Sequence, residues 1–337
     1  MNAVAYQTPG SLDRQEALVD VTLDKPSAQG RDLLVEVKAI AVNPVDYKVR
    51  QKFPPADGAW RVLGWDAVGT VVETGDDVQG FAVGDDVFYA GSITRQGTNS
   101  EFHLVDERIV GKRPTSLSDA EAAALPLTAI TACEMLFDRL DVRRPVAGAA
   151  NAIVIVGGAG GVASIAIQLA KALTDLTVIG TASRPETRQW IEDLGADHVV
   201  DHGKPLAQEI ADLGIGQPAF VFGTNATDRH LEQIAELIAP QGRFGLIDDP
   251  ATFDIGVFKQ KSVSVHWEFM FTRSMFETAD MDEQGNLLSE VAALIDAGRI
   301  KTTVSEVRTP INAQNLKDVH AVLESGKARG KIVLEGF

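Results

Sequence analysis

The sequence predicts a two-part α/β protein: an irregular, mostly antiparallel β domain and a doubly wound parallel sheet flanked by helices. Three observations carry that prediction. From Met1 to about Ala120, short alternating or β-branched runs are separated by turn residues. From Ile153 onward, strand-like and helix-like segments alternate, the pattern of a parallel sheet with crossover helices. At the start of that alternation, Val154-Ile155-Val156 runs into the glycine cluster Gly157-Gly158-Ala159-Gly160-Gly161, and an alanine-rich helical segment follows Val162-Ala163-Ser164.

In the β half, Leu33–Ala39 alternates, and Ala67–Glu73, Val87–Ala90 and His103–Val105 are further strand candidates. Gly75-Asp76-Asp77 and Gly84-Asp85-Asp86 are turn signals between them. The period changes at Ser118-Asp119-Ala120-Glu121, a capping box in which hydroxyl and carboxylate each meet an unpaired backbone N–H. An alanine-rich helix opens there and is broken at Pro126, which has no N–H to donate. A second helix is expected from about Ala129 to Leu140. The alternating half has strands at Ile153–Val156, Leu176–Thr181, His198–Val200, Ala219–Phe222 and Gly242–Ile247. Its helices begin near Ser164, Pro185, Pro205 and Asp228, and the crossovers are expected to be right-handed. A helix at about Leu287–Ala297 precedes further strand-like segments, the last being Lys331–Leu334. No repeat or low-complexity segment is apparent.

The glycine cluster reads as Gly158-x-Gly160-x-x-Ala163, a dinucleotide-binding (Rossmann) turn. Glycines let the backbone turn tightly and approach a pyrophosphate, whose charge is met by N–H groups at the new helix's start. Gly158, Ala159, Gly160, Gly161 and Val162 are therefore cofactor-binding candidates. An NAD site wants a carboxylate at the end of the next strand for the ribose 2′-OH, but that position is Ala182. Ser183 and Arg184 follow, offering a hydroxyl and a fixed cation suited to a 2′-phosphate, so the expected cofactor is NADPH. The competing reading has Ser183 capping a helix and Arg184 in water.

The 337 residues are too many for one typical core, so two domains are expected. A net charge of −16 opposes binding to phosphate backbones and anionic membranes, which leaves a small-molecule substrate and argues against nucleic acid. The single cysteine, Cys133, excludes an internal disulfide framework and a cysteine-rich metal site. The longest apolar stretch surrounds the glycine turn and reads as strand plus helix, not a membrane span. The opening residues lack a basic region before an apolar core, so no signal peptide is expected and the chain reads as cytoplasmic.

Several motifs in order give a further reading. They are Ala41-Val42-Asn43-Pro44-Val45-Asp46, Leu63-Gly64-Trp65-Asp66-Ala67-Val68-Gly69, Gly84-Asp85-Asp86-Val87, Leu125-Pro126-Leu127-Thr128-Ala129-Ile130-Thr131-Ala132 and the glycine turn. Over essentially its whole length the chain resembles the medium-chain dehydrogenase/reductase superfamily, and within it the zinc-free quinone oxidoreductase branch. Phe88–Ile93 and Val105–Val110 resemble a bacterial subgroup often labelled zinc-type alcohol dehydrogenase-like. The resemblance implies a GroES-like catalytic domain (1–124 and 270–337), a Rossmann NADP-binding domain (125–269) and a homodimer.

Zinc members of that superfamily hold the metal through a cysteine, a histidine beside an acid, and a later cysteine or acid. The matching positions are Asn43, Trp65 beside Asp66, and Leu127, and none of these three is a competent ligand. No metal is expected. Without zinc as Lewis acid, stabilising a simple alkoxide is difficult. A Tyr-x-x-x-Lys pair is also missing, since none of Tyr6, Tyr47 and Tyr89 has lysine four residues on. Hydride addition to a quinone or enone spreads the developing charge and asks less of the protein.

By the same resemblance, Asn43 and Asp46 face the nicotinamide and substrate, with Asp46 orienting Tyr47 or Lys48; the alternative is an Asn-Pro turn with an Asx cap. Thr131 matches a cofactor contact, or is a helix threonine bonded to the preceding turn. Trp65 and Tyr89 are pocket walls or core, and Trp267 lines the pocket or a subunit interface. His202 stands where relatives carry a tyrosine near the adenosine phosphate, and Lys331 reaches the cofactor phosphate or is solvated. The expected function is NADPH-dependent reduction of quinones or α,β-unsaturated carbonyls. The alternatives are an alcohol dehydrogenase or aldehyde reductase of the zinc-type-like subgroup, and a non-catalytic NADPH-binding or structural protein.

Overall fold

The computed structural model describes residues 1–56 and 58–337. In chain order, strands β1 (Asn2–Tyr6), β2 (Val19–Thr22) and β3 (Asp32–Ala41) lead to helix α1 (Pro44–Lys52). Strands β4 (Arg61–Val62), β5 (Ala67–Thr74), β6 (Asp86–Tyr89), β7 (Phe102–Asp106) and β8 (Val110–Lys112) precede helices α2 (Asp119–Ala123) and α3 (Pro126–Cys133). A π-helical stretch, Glu134–Arg139, continues α3. Then β9 (Ala150–Val156), α4 (Gly161–Leu173), β10 (Thr177–Thr181), α5 (Pro185–Asp193), β11 (His198–Val200) and α6 (Leu206–Ala211) alternate. The series continues with β12 (Pro218–Gly223), α7 (Thr227–Leu237), β13 (Arg243–Leu246) and β14 (Ser264–Trp267). Helices α8 (Thr272–Phe276) and α9 (Glu283–Asp296), strand β15 (Val304–Arg308), helix α10 (Ala313–Glu324) and strand β16 (Lys331–Glu335) complete the chain.

Two compact units result: Met1–Ile130 with Phe271–Phe337, and Thr131–Met270. The first holds a small sheet, β2-β1-β4, and a larger one ordered β15-β16-β3-β5-β6-β8, with β7 also paired to β3. Among the described strands of this unit, only β15 and β16 pair in parallel. Strand β3 is the spine: Glu36 and Lys38 face out while Val35, Val37 and Ala39 face in, the alternation of a half-buried strand. Its pairing with β16 sets Val333 opposite Ala41. That register brings the C-terminal strand to the start of α1, although nearly the whole chain separates them.

The second unit is a parallel sheet ordered β11-β10-β9-β12-β13-β14. Counting from β9, the order is third, second, first, fourth, fifth, sixth, so the strand order reverses between β9 and β12. Connections leave to opposite sides there, which opens a crevice at the strands' carboxyl ends. Ile153, Val154, Ile155, Phe220, Val221 and Phe222 are all buried, as expected of central strands covered on both faces.

The fold class agrees with the sequence reading, and several elements correct it. Asn43-Pro44 does not form an isolated turn but starts the nine-residue α1, with Pro44 at its first position, where no N–H is needed. The residues after α9 include a helix, α10, where strand-like segments were expected. His266 and Trp267 lie within β14, an unanticipated sixth strand of the parallel sheet. As an edge strand it is only partly covered and carries no alternating signal. The stretch Asp119–Arg139, rather than the surroundings of the glycine turn, is long and apolar enough to cross a membrane, but 89% of its apolar window is buried in the fold.

Candidate active site

Each unit carries one group of candidate residues. In the second unit, β9 ends at Val156 and the chain turns through Gly157, whose φ of +82° favours glycine. A Cβ on Gly157 would lie 2.7 Å from Thr224 Oγ1, and one on Gly158 would lie 2.6 Å from Ile191 Cδ1. The turn is tied to the neighbouring strand: Gly157 N donates to Thr181 Oγ1 (3.0 Å) and Gly158 N to Thr181 O (3.1 Å). Gly160 is the N-cap of α4 and offers no side-chain cap. The amides of the first turn, from Gly161 through Val162, are thus left to an anionic ligand, and the helix dipole favours the same charge. Ala159, within the turn, is buried. This cradle fits a dinucleotide pyrophosphate.

At the end of β10, Ala182 is buried, while Ser183 and Arg184 are exposed. Ser183 does not cap α5; the N-cap is Arg184, again without a side-chain cap. Arg184 Nε lies 3.4 Å from Glu186 Oε1, with both groups exposed, a contact worth little in water. His202, half-buried, bonds through Nδ1 to Thr181 Oγ1 (2.9 Å). The hydroxyl that steadies the glycine turn therefore also steadies His202. Thr131 is buried on α3.

The first unit holds a buried polar cluster around Lys331 and Asp66. Lys331 is 3% exposed, and its ammonium donates to Asp66 Oδ2 (2.8 Å), Val42 O (3.1 Å) and Asn43 Oδ1. All three of its protons are engaged, so Lys331 is neither solvated nor available to a cofactor phosphate. Asp66 also accepts from Asn43 Nδ2 (2.7 Å) and Leu127 N (2.7 Å). Burial pushes the Asp66 carboxyl up, and Lys331 with the hydrogen bonds pulls it back. The Asn43 side chain is held by this pair at the N-cap of α1.

Asp46 is buried beside them. Its Oδ2 accepts from Asn43 N (2.7 Å), and its Oδ1 has no hydrogen-bond partner. It therefore orients the Asn43 backbone; Tyr47 and Lys48 are both half-buried on α1. Burial raises the Asp46 carboxyl to about 7. Because the folded pKa exceeds the ordinary value of 3.8, the stability it contributes is complete below pH 3.8 and is lost as pH rises through about 7. The expected result is that wild-type stability relative to Asp46→Asn falls across that window, by on the order of 4 kcal/mol at about 1.4 kcal/mol per unit. Denaturation of both proteins from acid to neutral pH checks it.

Trp65 and Tyr89 are enclosed rather than lining an opening. Trp65 packs edge-on to Phe271 at 5.9 Å and donates to Ser92 O (3.3 Å). Tyr89 stacks on His103 at 5.5 Å, with its hydroxyl 3.1 Å from Nδ1. Core packing describes both. Burial lowers His103 to about 4, so that ring is neutral. Trp267 is 52% exposed on edge strand β14 and packs against Phe253 at 5.9 Å.

The donor set does not fit zinc. Asn43, Trp65 and Leu127 surround one carboxylate, Asp66, whose two oxygens already accept from Lys331, Asn43 and Leu127. No cluster of three or more His, Cys, Asp or Glu side chains with metal-binding geometry occurs among the described residues. The residues that single-sequence reasoning missed are Asp66 as the anchor of Lys331 and His230, whose ring stands edge-on to His202 at 6.0 Å. Their partners are remote in sequence, and no local pattern announces them.

Residues 29–115 match the profile "Alcohol dehydrogenase GroES-like domain", and residues 194–334 match "Zinc-binding dehydrogenase". A "Zinc-type alcohol dehydrogenase-like protein" of Staphylococcus epidermidis is 38% identical over 99% of both chains. A Rhizobium etli CFN 42 protein assigned as a zinc-dependent alcohol dehydrogenase is 63% identical, with a TM-score of 0.99, covering 100% of this chain and 98% of that one. A quinone oxidoreductase of Pseudomonas syringae is 26% identical, with a TM-score of 0.83 over 99% of both chains.

Proposed function

We propose, for a chain that belongs to the medium-chain dehydrogenase/reductase superfamily of oxidoreductases, an NADPH-dependent reduction of quinones or α,β-unsaturated carbonyls that runs without zinc. The observation that carries this reading is the buried Asn43–Asp66–Lys331 cluster. By the resemblance, Asn43, Trp65 and Leu127 stand at the zinc-ligand positions, and the one carboxylate beside them, Asp66, is committed to a lysine. A conjugated acceptor suits such a site, because its developing charge is delocalised and needs no Lewis acid. The quinone oxidoreductase among the similar structures supports the same class.

When bound, a nicotinamide dinucleotide supplies the hydride. The chain's own residues have separable tasks. Amides of Gly161 and Val162 hold the pyrophosphate, and Ser183 with Arg184 meets the 2′-phosphate. Lys331 neutralises Asp66 and fixes the Asn43 amide. Asp46 stays protonated at Oδ1 up to near neutral pH and holds the start of α1 through Asn43 N. No tyrosine is required as a proton donor. Tyr47→Phe and Tyr89→Phe are each expected to retain turnover within about tenfold, whereas loss of a general acid costs about 100-fold or more. Steady-state rates of the two variants check this.

A screen of NADPH oxidation against quinones, alkenals and simple aldehydes, run on protein whose metal content has been measured, tests the proposal. Quinone or alkenal reduction by protein without stoichiometric zinc is expected. NADPH binding with no turnover across the panel would favour a non-catalytic role. We further place the protein in the cytoplasm as a homodimer. Edge strand β14 with its exposed Trp267, and exposed Phe269 just beyond the strand, support self-association, and sedimentation equilibrium is expected to return twice the chain mass.

A further inference from the structure

We propose that His202 and His230 act together as a pH-dependent reader of the 2′-phosphate, so that preference for the phosphorylated dinucleotide grows as pH falls. The inference rests on the nucleotide reading given above and adds a regulation of that site.

The geometry begins at Thr181. Its hydroxyl receives Gly157 N (3.0 Å) and bonds His202 Nδ1 (2.9 Å), so one side chain links the phosphate turn to the imidazole. The other ring nitrogen, Nε2, makes no hydrogen bond among the described residues. Gly203, the next residue, faces Ser183: a Cβ built on it would stand 3.9 Å from Ser183 Cβ. His202 therefore lies beside the end of β10, where Ala182 replaces a ribose-binding carboxylate. His230, half-buried on α7, presents its ring to His202 at an interplanar angle of 63°.

The surrounding charges leave the two rings as the groups poised to titrate. Asp201, adjacent to His202, is engaged at Oδ1 by Gly203 N (2.8 Å). Lys204 pairs with Glu209 at 3.4 Å, and Arg184 with Glu186 at 3.4 Å. Around His230 stand Asp228 and Arg229 on its own helix, and Asp248, which accepts from Thr227 N (2.8 Å) and Thr227 Oγ1 (2.6 Å). Burial lowers both histidines, and a charge on His202 lowers His230 further. Both rings are thus neutral in the free protein at neutral pH.

A phosphate dianion beside them favours their charged forms. Binding then takes up protons, and a ligand that takes up protons binds more tightly as pH falls. The gain saturates once the free rings are already charged, and the phosphate's own second ionisation, near about pH 6, limits it further. The effect therefore falls between about pH 6 and 8. A dinucleotide without the 2′-phosphate shows none of it.

The test is titration calorimetry of NADPH and NADH against the full chain at intervals from about pH 6 to 8, with His202→Gln and His230→Gln as variants. The ratio of the two Kd values is expected to change by up to about tenfold per pH unit for one linked proton. It is expected to flatten in His202→Gln and to become shallower in His230→Gln. A wild-type ratio that favours NADPH but is constant with pH would overturn this inference and leave the nucleotide reading intact. NADPH binding no tighter than NADH at every pH would overturn both. An unchanged slope in both variants, with their circular dichroism native, would also overturn it.

Discussion

Lys331→Met is expected to destabilise the protein by about 3–5 kcal/mol, the usual consequence of removing one partner from a buried ion pair. The side chains of Lys331 and Asp66 are 3% and 0% exposed, so no water can replace the lost ammonium. Methionine fills much of the same volume, which keeps a cavity from being the cause. Asp66 would keep only Asn43 Nδ2 and Leu127 N as donors, and Val42 O and Asn43 Oδ1 would lose theirs. The double variant Asp66→Asn/Lys331→Met is expected to recover at least half of the loss. An asparagine at position 66 can still accept from Leu127 N, and its amide can donate to Asn43 Oδ1. Chemical denaturation of the two single variants and the double variant measures the coupling. Additive losses would mean that the pair does not act as a unit.

Gly160→Asp is expected to weaken dinucleotide binding by about 100-fold or more while leaving the fold intact. The Gly160 backbone is extended, at φ −70° and ψ 165°, which any residue adopts, and a Cβ there would meet nothing closer than Gly157 O at 3.5 Å. Aspartate is among the best N-caps and would bond the first-turn amides, adding about 0.5–1 kcal/mol to the helix. Those same amides would then be closed to a pyrophosphate, and the new carboxylate would repel it. At an effective dielectric constant of about 20, a like charge about 4 Å away costs about 4 kcal/mol. Improved thermal stability together with lost affinity is a combination that misfolding cannot produce. Melting temperature and calorimetric Kd, measured on the same sample, test it.

How much of this was legible in the sequence follows from where each signal resides. The second unit was readable because central parallel strands are buried on both faces and write continuous apolar runs such as Ile153–Val156. The glycine turn has a backbone requirement that few residues meet. Edge strand β14 escaped notice because an exposed edge has no such pattern. Helix α1 was hidden by Asn43-Pro44, a dipeptide that signals a turn as readily as a helix start. Among site residues, Ser183 and Arg184 follow from their place after the second strand of the parallel half, while the roles of Asn43, Asp46 and His202 rest on the family resemblance; the structure adds partners for Asn43, Asp46, Arg184 and His202. Lys331 was misplaced because its meaning lies in Asp66, 265 positions away, and only the pairing of β16 with β3 brings them together. Tyr89 and Trp65 were weighed as pocket walls because chemistry alone does not tell a buried aromatic from one lining an opening.

The proposed reaction is hydride transfer to a conjugated acceptor in a fold whose zinc-ligand positions, by the resemblance, hold Asn43, Trp65 and Leu127. NADPH-dependent turnover of a quinone, before and after exhaustive dialysis against a strong zinc chelator, tests it most directly. The predicted result is quinone reduction at an unchanged rate after dialysis. Activity confined to alcohols or simple aldehydes, abolished by the chelator and restored by zinc, would contradict it.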